Sequence, residues 1–157
     1  MEELQHCEIL KTNINVTNMS DTIKYIGGHL DDLRGKYICV SNVHTTVMSY
    51  ENEEYRKIQN SAAMALPDGA PLSSYSRRKG YKQAQRVTGP DLMLELFAIS
   101  KEKGYRHYFY GATEETLQSM REVLERDYPG IEIAGMYAPP FRALTPQEDA
   151  QIVAKIN

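Results

Sequence analysis

The chain has no tryptophan, three phenylalanines and two cysteines among its 157 residues. So few thiols cannot staple a small fold, and Cys7 and Cys39 lack the paired spacing of a structural zinc site, so both are expected to be reduced structural thiols. Long apolar runs are absent too. None approaches the ~18 residues of a membrane-spanning helix, and no basic-then-apolar leader opens the sequence, so a cytosolic protein with at most peripheral membrane contact is expected. Nor is there an excess of positive charge. With 18 Lys and Arg against 21 Asp and Glu, a net charge of −3 speaks against nucleic acid as a partner. Any anion must therefore be held locally. No repeat, low-complexity tract or linker divides the chain, and no Asp-x-Asp pair offers a divalent cation a site.

What is present suits one globular domain. Hydrophobic residues make up 41% and charged residues 25%, close to globular averages, and a chain of this size can bury roughly 70% of its unfolded surface. Asn13 to Val16 alternates in a segment near the start, and Ser20 is placed to cap a helix through Ile23, Ile26, Leu30 and Leu33 that Gly35 ends. Tyr37 to Val40 reads as a buried strand that opens through Ser41, Asn42, Val43 and His44 into a helix, followed by a helical piece from Glu53 to Gln59. Ala62 to Leu66 is the next strand, Leu72 to Arg78 a helix, and Gly80 a turn. A helix from Pro90 carries Leu92, Leu96 and Ile99 and stops near Gly104, before a strand over His107 to Tyr110. Thr113 caps a helix with Leu117, Met120 and Leu124 on one stripe, ended by Tyr128, Pro129 and Gly130. Ile131 to Ala134 is a last strand, and Thr145-Pro146-Gln147-Glu148 is a capping box with proline at the first helical position. Alternation of this kind predicts an α/β fold, Rossmann-like, around a largely parallel or mixed sheet. A helix at the end with no strand after it reads as an unfinished unit, so a longer parent is expected.

Two loops stand out as chemistry. The apolar run to Leu66 delivers Asp68 into a loop bounded by Pro67, Gly69 and Pro71, where it is either a general base or a turn-forming Asp bonded to its own backbone. Arg86-Val87-Thr88-Gly89-Pro90-Asp91 brings a cation, a hydroxyl and a carboxylate to a helix start. Arg86 is either a phosphate-pairing fork or a solvated surface cation; Thr88 and Gly89 offer a hydroxyl and a close backbone approach; Asp91 complements the helix N-terminus. Asn42 is either a reader of uracil or sugar or a helix cap, and His44 beside it is the weaker candidate. Gly111, with Ala112 and Thr113, resembles a phosphate-binding turn without a full glycine fingerprint. Arg77 and Arg78, with Lys79 and Lys82, form a basic cluster that is either a solvated face or a patch for a lipid diphosphate or an anionic bilayer.

The order Val40-Ser41-Asn42-Val43-His44, Leu66-Pro67-Asp68-Gly69, Arg86 to Asp91, Phe109-Tyr110-Gly111 and Tyr128-Pro129-Gly130 resembles the WecG/TagA/CpsF family of bacterial glycosyltransferases over about residues 8 to 157. The resemblance implies an inverting hexosyltransferase. Its donor would be a UDP-sugar, often of N-acetylmannosamine type, and its acceptor an undecaprenyl-diphosphate-linked sugar, for teichoic acid, capsule or exopolysaccharide. It further implies Asp68 as base, Arg86 on the diphosphate, no cofactor, no metal, and a peripheral position at the inner face of the cell membrane. A homo-oligomer is left open. Where family members commonly carry Thr, this chain has Val40, with Ser41, Thr45 and Thr46 as nearby hydroxyls. The family also continues with a glycine-rich strand-loop, a Lys-Gln-Glu motif and a membrane-docking appendage, so residues 1 to 157 are expected to form a single domain without those parts. A non-catalytic nucleotide- or sugar-phosphate-binding module is the alternative.

Overall fold

The computed structural model describes residues 4–156, which fall into two compact units, one up to Glu95 and one from Leu96. The first opens with an antiparallel hairpin of β1 (His6–Ile9) and β2 (Thr12–Asn15), Cys7 opposite Ile14. Its tight turn puts Leu10 at φ 49° and Lys11 at φ 65°, a left-handed pair usually given to Asn and Gly. α1 (Met19–Gly28) follows, capped by Asn18, whose side chain accepts the Asp21 N–H at 3.0 Å. That corrects two expectations. The cap is Asn18 rather than Ser20, and the helix ends at Gly28 rather than Gly35, residues 30–35 forming turns with Leu30 half exposed.

β3 (Ile38–Ser41) and β4 (Met64–Pro67) pair in parallel, Ile38 opposite Met64 and Ser41 opposite Pro67. Between them lie α2 (Val43–Glu51) and α3 (Glu53–Ser61). β2 lies alongside β4, where the Asn15 side-chain oxygen accepts the Ala65 N–H at 2.6 Å. β4 is buried along its whole length, as its unbroken apolar run requires. Cys7, Ile9, Ile14, Ala65 and Leu72 form the core of this unit, with Val16, Cys39 and Tyr81 packed on it. Both cysteines are free, and partial burial raises the Cys39 thiol pKa, which favours its protonated form. α4 (Ala70–Arg78) leaves the end of β4, and α5 (Gly89–Lys103) begins in this unit and continues into the next.

The second unit contains β5 (Arg106–Tyr110), α6 (Glu114–Asp127), β6 (Glu132–Tyr137) and α7 (Pro146–Ile156). β5 and β6 are parallel, with an irregularity after His107 that sets Tyr108 opposite Gly135. A side chain at Gly135 would run into the Tyr108 ring, so glycine is required there by packing. Phe97 anchors the aromatic core, edge-on to His107 at 5.1 Å, Phe109 at 5.8 Å and Tyr128 at 5.5 Å. Burial lowers the His107 pKa, and its Nε2 shares a 2.5 Å hydrogen bond with the Ser100 hydroxyl. α7 starts as the sequence predicts: Glu148 accepts from the Thr145 N–H at 2.9 Å and Thr145 accepts from the Glu148 N–H at 3.3 Å. Arg142 clasps the same carboxylate at both oxygens, which, with the Thr145 bonds, holds its pKa at about 2.

The architecture is α/β and Rossmann-like in its alternation, with two parallel strand pairs and one antiparallel hairpin among the described residues. Among the described residues no helix is long and apolar enough to cross a membrane.

Candidate functional site

Three of the sequence motifs meet at the C-terminal ends of β3 and β4. The Asp68 N–H donates to Ser41 O at 2.8 Å, and the Val87 N–H donates to Pro67 O at 2.9 Å. Gly89 faces Val40 closely enough that a Cβ on it would stand 3.6 and 3.7 Å from the two Val40 methyls. The ends of parallel strands are where open α/β sheets leave a crevice for ligands.

At the centre is Asp68, half buried. Among the described residues its carboxylate has no hydrogen bond or ion pair, so the turn in which Asp bonds its own backbone is not formed. Gly69 supplies the bend instead, at φ 115°, and starts α4 with no side-chain cap. The carboxylate is thus held by backbone geometry alone and left chemically free.

Asn42 caps α2. Its side-chain oxygen accepts the Thr45 N–H at 3.0 Å while the Thr45 hydroxyl accepts the Asn42 N–H at 2.9 Å, a reciprocal box that fixes the exit from β3. Its side chain is exposed, and its amide nitrogen has no partner among the described residues. His44, in the first turn of α2, is also exposed and, among the described residues, unbonded. The three hydroxyls near Val40 are all engaged structurally: Thr45 at 3.1 Å and Thr46 at 2.6 Å donate to Asn42 O, and Ser41 donates to Gln59 at 2.8 Å.

In the third motif Arg86 lies 3.6 Å from the Asp91 carboxylate, with both side chains more than half exposed. An exposed pair of this kind is worth at most about 1 kcal/mol, so it positions the guanidinium without committing it. Thr88 is 8% exposed, and its hydroxyl accepts the Asp91 N–H at 3.1 Å. Thr88 is therefore the cap of α5, and Asp91 complements the helix dipole from the first turn.

Arg77 is spent on structure, donating to Ala84 O at 2.8 Å and to the Ser74 hydroxyl at 3.0 Å, while Arg78 is exposed and, among the described residues, unpaired. Gly111, at φ 132°, belongs to the second unit, where its N–H is already bonded to Tyr137 O at 3.0 Å. Thr113 caps α6 and Glu114 and Glu115 occupy its first turn, a set of neighbours that opposes an anion.

Sequence reasoning missed the support beneath the site. Ser41, fully buried, bonds Gln59, whose amide donates to the Tyr55 hydroxyl at 3.1 Å, pinning the end of β3 to α3. α3 reads as a solvated polar helix, so the only signal was one glutamine among many polar residues.

Among the described residues no three His, Cys, Asp or Glu side chains are grouped to hold a metal ion.

A model of the Glycosyl transferase WecG/TagA/CpsF family matches residues 7–157. The chain is 34% identical over 107 residues to the N-acetylglucosaminyldiphosphoundecaprenol N-acetyl-beta-D-mannosaminyltransferase of Bacillus spizizenii, covering 68% of this chain and 42% of that protein. Proteins of the same name from Bacillus subtilis (27% over 120 residues; 76% and 47% covered) and Staphylococcus aureus (22% over 129 residues; 81% and 51%) are also similar. The chain spans about half the length of the curated relatives it matches. With the match running through the strand ends that carry Asn42, Asp68 and Arg86, the chain belongs to the WecG/TagA/CpsF family of glycosyl transferases.

Proposed function

We propose that this chain is the sugar-transferring domain of an inverting, UDP-sugar-dependent hexosyltransferase. Its donor carries an N-acetylmannosamine-type sugar, and its acceptor is an undecaprenyl-diphosphate-linked sugar used for teichoic acid or a related cell-surface polysaccharide. The relatives' names supply the transferred sugar and the acceptor class. The observation that carries the reading is the free, half-buried Asp68 carboxylate at the end of β4, in the loop that hydrogen-bonds the strand leading to Asn42 and the segment following Arg86.

In this reading the acceptor hydroxyl attacks the anomeric carbon from the face opposite UDP. Its proton passes to Asp68 as the new C–O bond forms, and the bond to the β-phosphate oxygen breaks. The pair of electrons leaves with UDP, and the added charge on the diphosphate is met by Arg86, which exchanges Asp91 for phosphate oxygens. Asn42 turns its free amide nitrogen toward the donor. Thr88 and Asp91 act by fixing the loop and Gly89 by letting it approach Val40. No metal takes part. Because the acceptor is a lipid, the reaction runs at the inner face of the cell membrane, with the protein bound peripherally.

The test is transfer of radiolabelled sugar from UDP-N-acetylmannosamine to a synthetic lipid-diphosphate acceptor, with and without EDTA, beside calorimetry with UDP. Transfer insensitive to EDTA is expected. UDP binding with no transfer by the chain or by its longest natural form would leave a binding module, and restoration by Mg²⁺ after EDTA would overturn the metal-free mechanism.

A further inference from the structure

We infer that the turn ending α4 is a docking face for anionic lipid headgroups, formed by Arg78, Lys79 and Lys82. The inference takes its choice of partner from the transferase reading, since a lipid-linked acceptor is presented by a bilayer. Its physical basis is separate. Residues 70–90 carry five cations and no carboxylate, in a chain whose acidic residues outnumber its basic ones 21 to 18. A bilayer bearing negative charge would therefore attract this segment while the chain as a whole is repelled.

The turn is also rigid. Gly80, at φ 103°, ends α4 with its N–H on Arg77 O at 3.0 Å, and the Tyr81 N–H returns to Ser76 O at 3.1 Å, the paired bonds of a Schellman motif. Arg77 locks the far side through Ala84 O. The other three cations are left exposed on the outside of this knot, and among the described residues none of them meets a carboxylate. Elsewhere Arg34, Lys57, Lys103, Arg106, Arg121, Arg126 and Arg142 lie against a carboxylate, and Lys11, Lys24, Lys36 and Lys101, which among the described residues do not, are scattered along the chain rather than gathered in one turn. Lys79 sits over the ring of Tyr75, 39% exposed, which places an aromatic amphiphile beside the charges, as at headgroup depth.

The segment also starts and ends at the site. α4 leaves Gly69, next to Asp68, and the segment that returns from it is bonded to Pro67 O through the Val87 N–H. A helix of nine residues is about 13 Å long, so a surface held at the turn stays within reach of a headgroup-sized acceptor.

Sedimentation with vesicles tests this. The chain should partition onto phosphatidylglycerol-containing vesicles at low salt, release at high salt, and ignore pure phosphatidylcholine. Combined Arg78→Gln, Lys79→Gln and Lys82→Gln should weaken partition roughly 100-fold, about fivefold per cation. A variant of equal charge change, Arg34→Gln, Lys36→Gln and Lys57→Gln, should weaken it far less; circular dichroism confirms that both stay folded. Equal loss in both variants, no partition by the unaltered chain, or loss of pyrophosphate binding with vesicle partition unchanged would overturn the inference. UDP calorimetry on the unaltered chain separates the two readings: vesicle binding without UDP binding keeps the docking face and rejects the transferase.

Discussion

The two parallel strand pairs end differently. At the ends of β3 and β4 the polar groups are held but not used up: the Asp68 carboxylate is free, Asn42 has spent only its oxygen, and Arg86 rests on an exposed carboxylate. At the ends of β5 and β6 they are consumed. The Gly111 N–H bonds Tyr137 O, Thr113 caps α6, and Tyr110 stacks on Tyr137 at 6.0 Å. One supersecondary plan thus yields an open end and a closed end, and what separates them is whether local hydrogen bonding leaves polar atoms over. A glycine turn after a strand occurs in both, so the turn alone is no sign of a site.

The comparison breaks first at Asp68. Asp68→Asn keeps the shape and should keep UDP affinity, yet it removes the base and should lower transfer by ~10²-fold or more. Near-normal turnover would make the open end an accident of packing. At the closed end the largest expected effect is on stability: Gly135→Ala pushes a methyl into the Tyr108 ring and should cost about 1–3 kcal/mol in urea unfolding. UDP binding should not change.

Arg86→Ala should weaken UDP binding by about 1.5 kcal/mol, the lower end for a charged hydrogen bond, because the guanidinium is solvated in the free protein. Calorimetry showing unchanged affinity would return Arg86 to the solvated surface. Thr113→Ala sharpens the contrast from the other side: loss of the α6 cap should cost ~1 kcal/mol by thermal melting and leave UDP affinity untouched. A drop in UDP affinity there would mean that the end called closed is not.

The smallest effect is one of pH. His107 is kept neutral by burial, with a folded pKa below the 6.5 of the free side chain, so the unfolded chain binds its proton more readily. The stability of the second unit should be full above about pH 6.5 and fall as the pH drops through the lowered folded value. Hydrogen exchange at Phe97 and Phe109 would report it, and His107→Gln should flatten the profile.

Most of the alternation was legible because several helix starts carry their own chemistry, as Thr113 and the Thr145 to Glu148 box show. Boundaries were lost where two residues compete for one role. Asn18 and Ser20 are both good caps, and Leu30 and Leu33 keep helical spacing beyond the Gly27-Gly28 pair that ends α1. The β1–β2 turn gave no signal at all, since Leu10 and Lys11 adopt a conformation that neither prefers. Of the site, Asp68 and Arg86 were legible as loop residues between apolar runs. The bond from Ser41 to Gln59 was not, because it joins residues 18 apart and exists only once β3 and α3 have met.

Asn15 has a consequence beyond the fold it completes. The stretch from Ala62 to Leu66 is apolar, uncharged and extended, the composition from which intermolecular cross-β stacks grow. With β3 on one side of β4, the other side would present an unpaired amide at Ala65 as a template for a neighbouring chain. The Asn15 side chain takes that amide, as a backbone carbonyl would, but offers no strand for another molecule to extend. One side-chain oxygen thereby protects the strand that carries Asp68 from becoming a seed for aggregation.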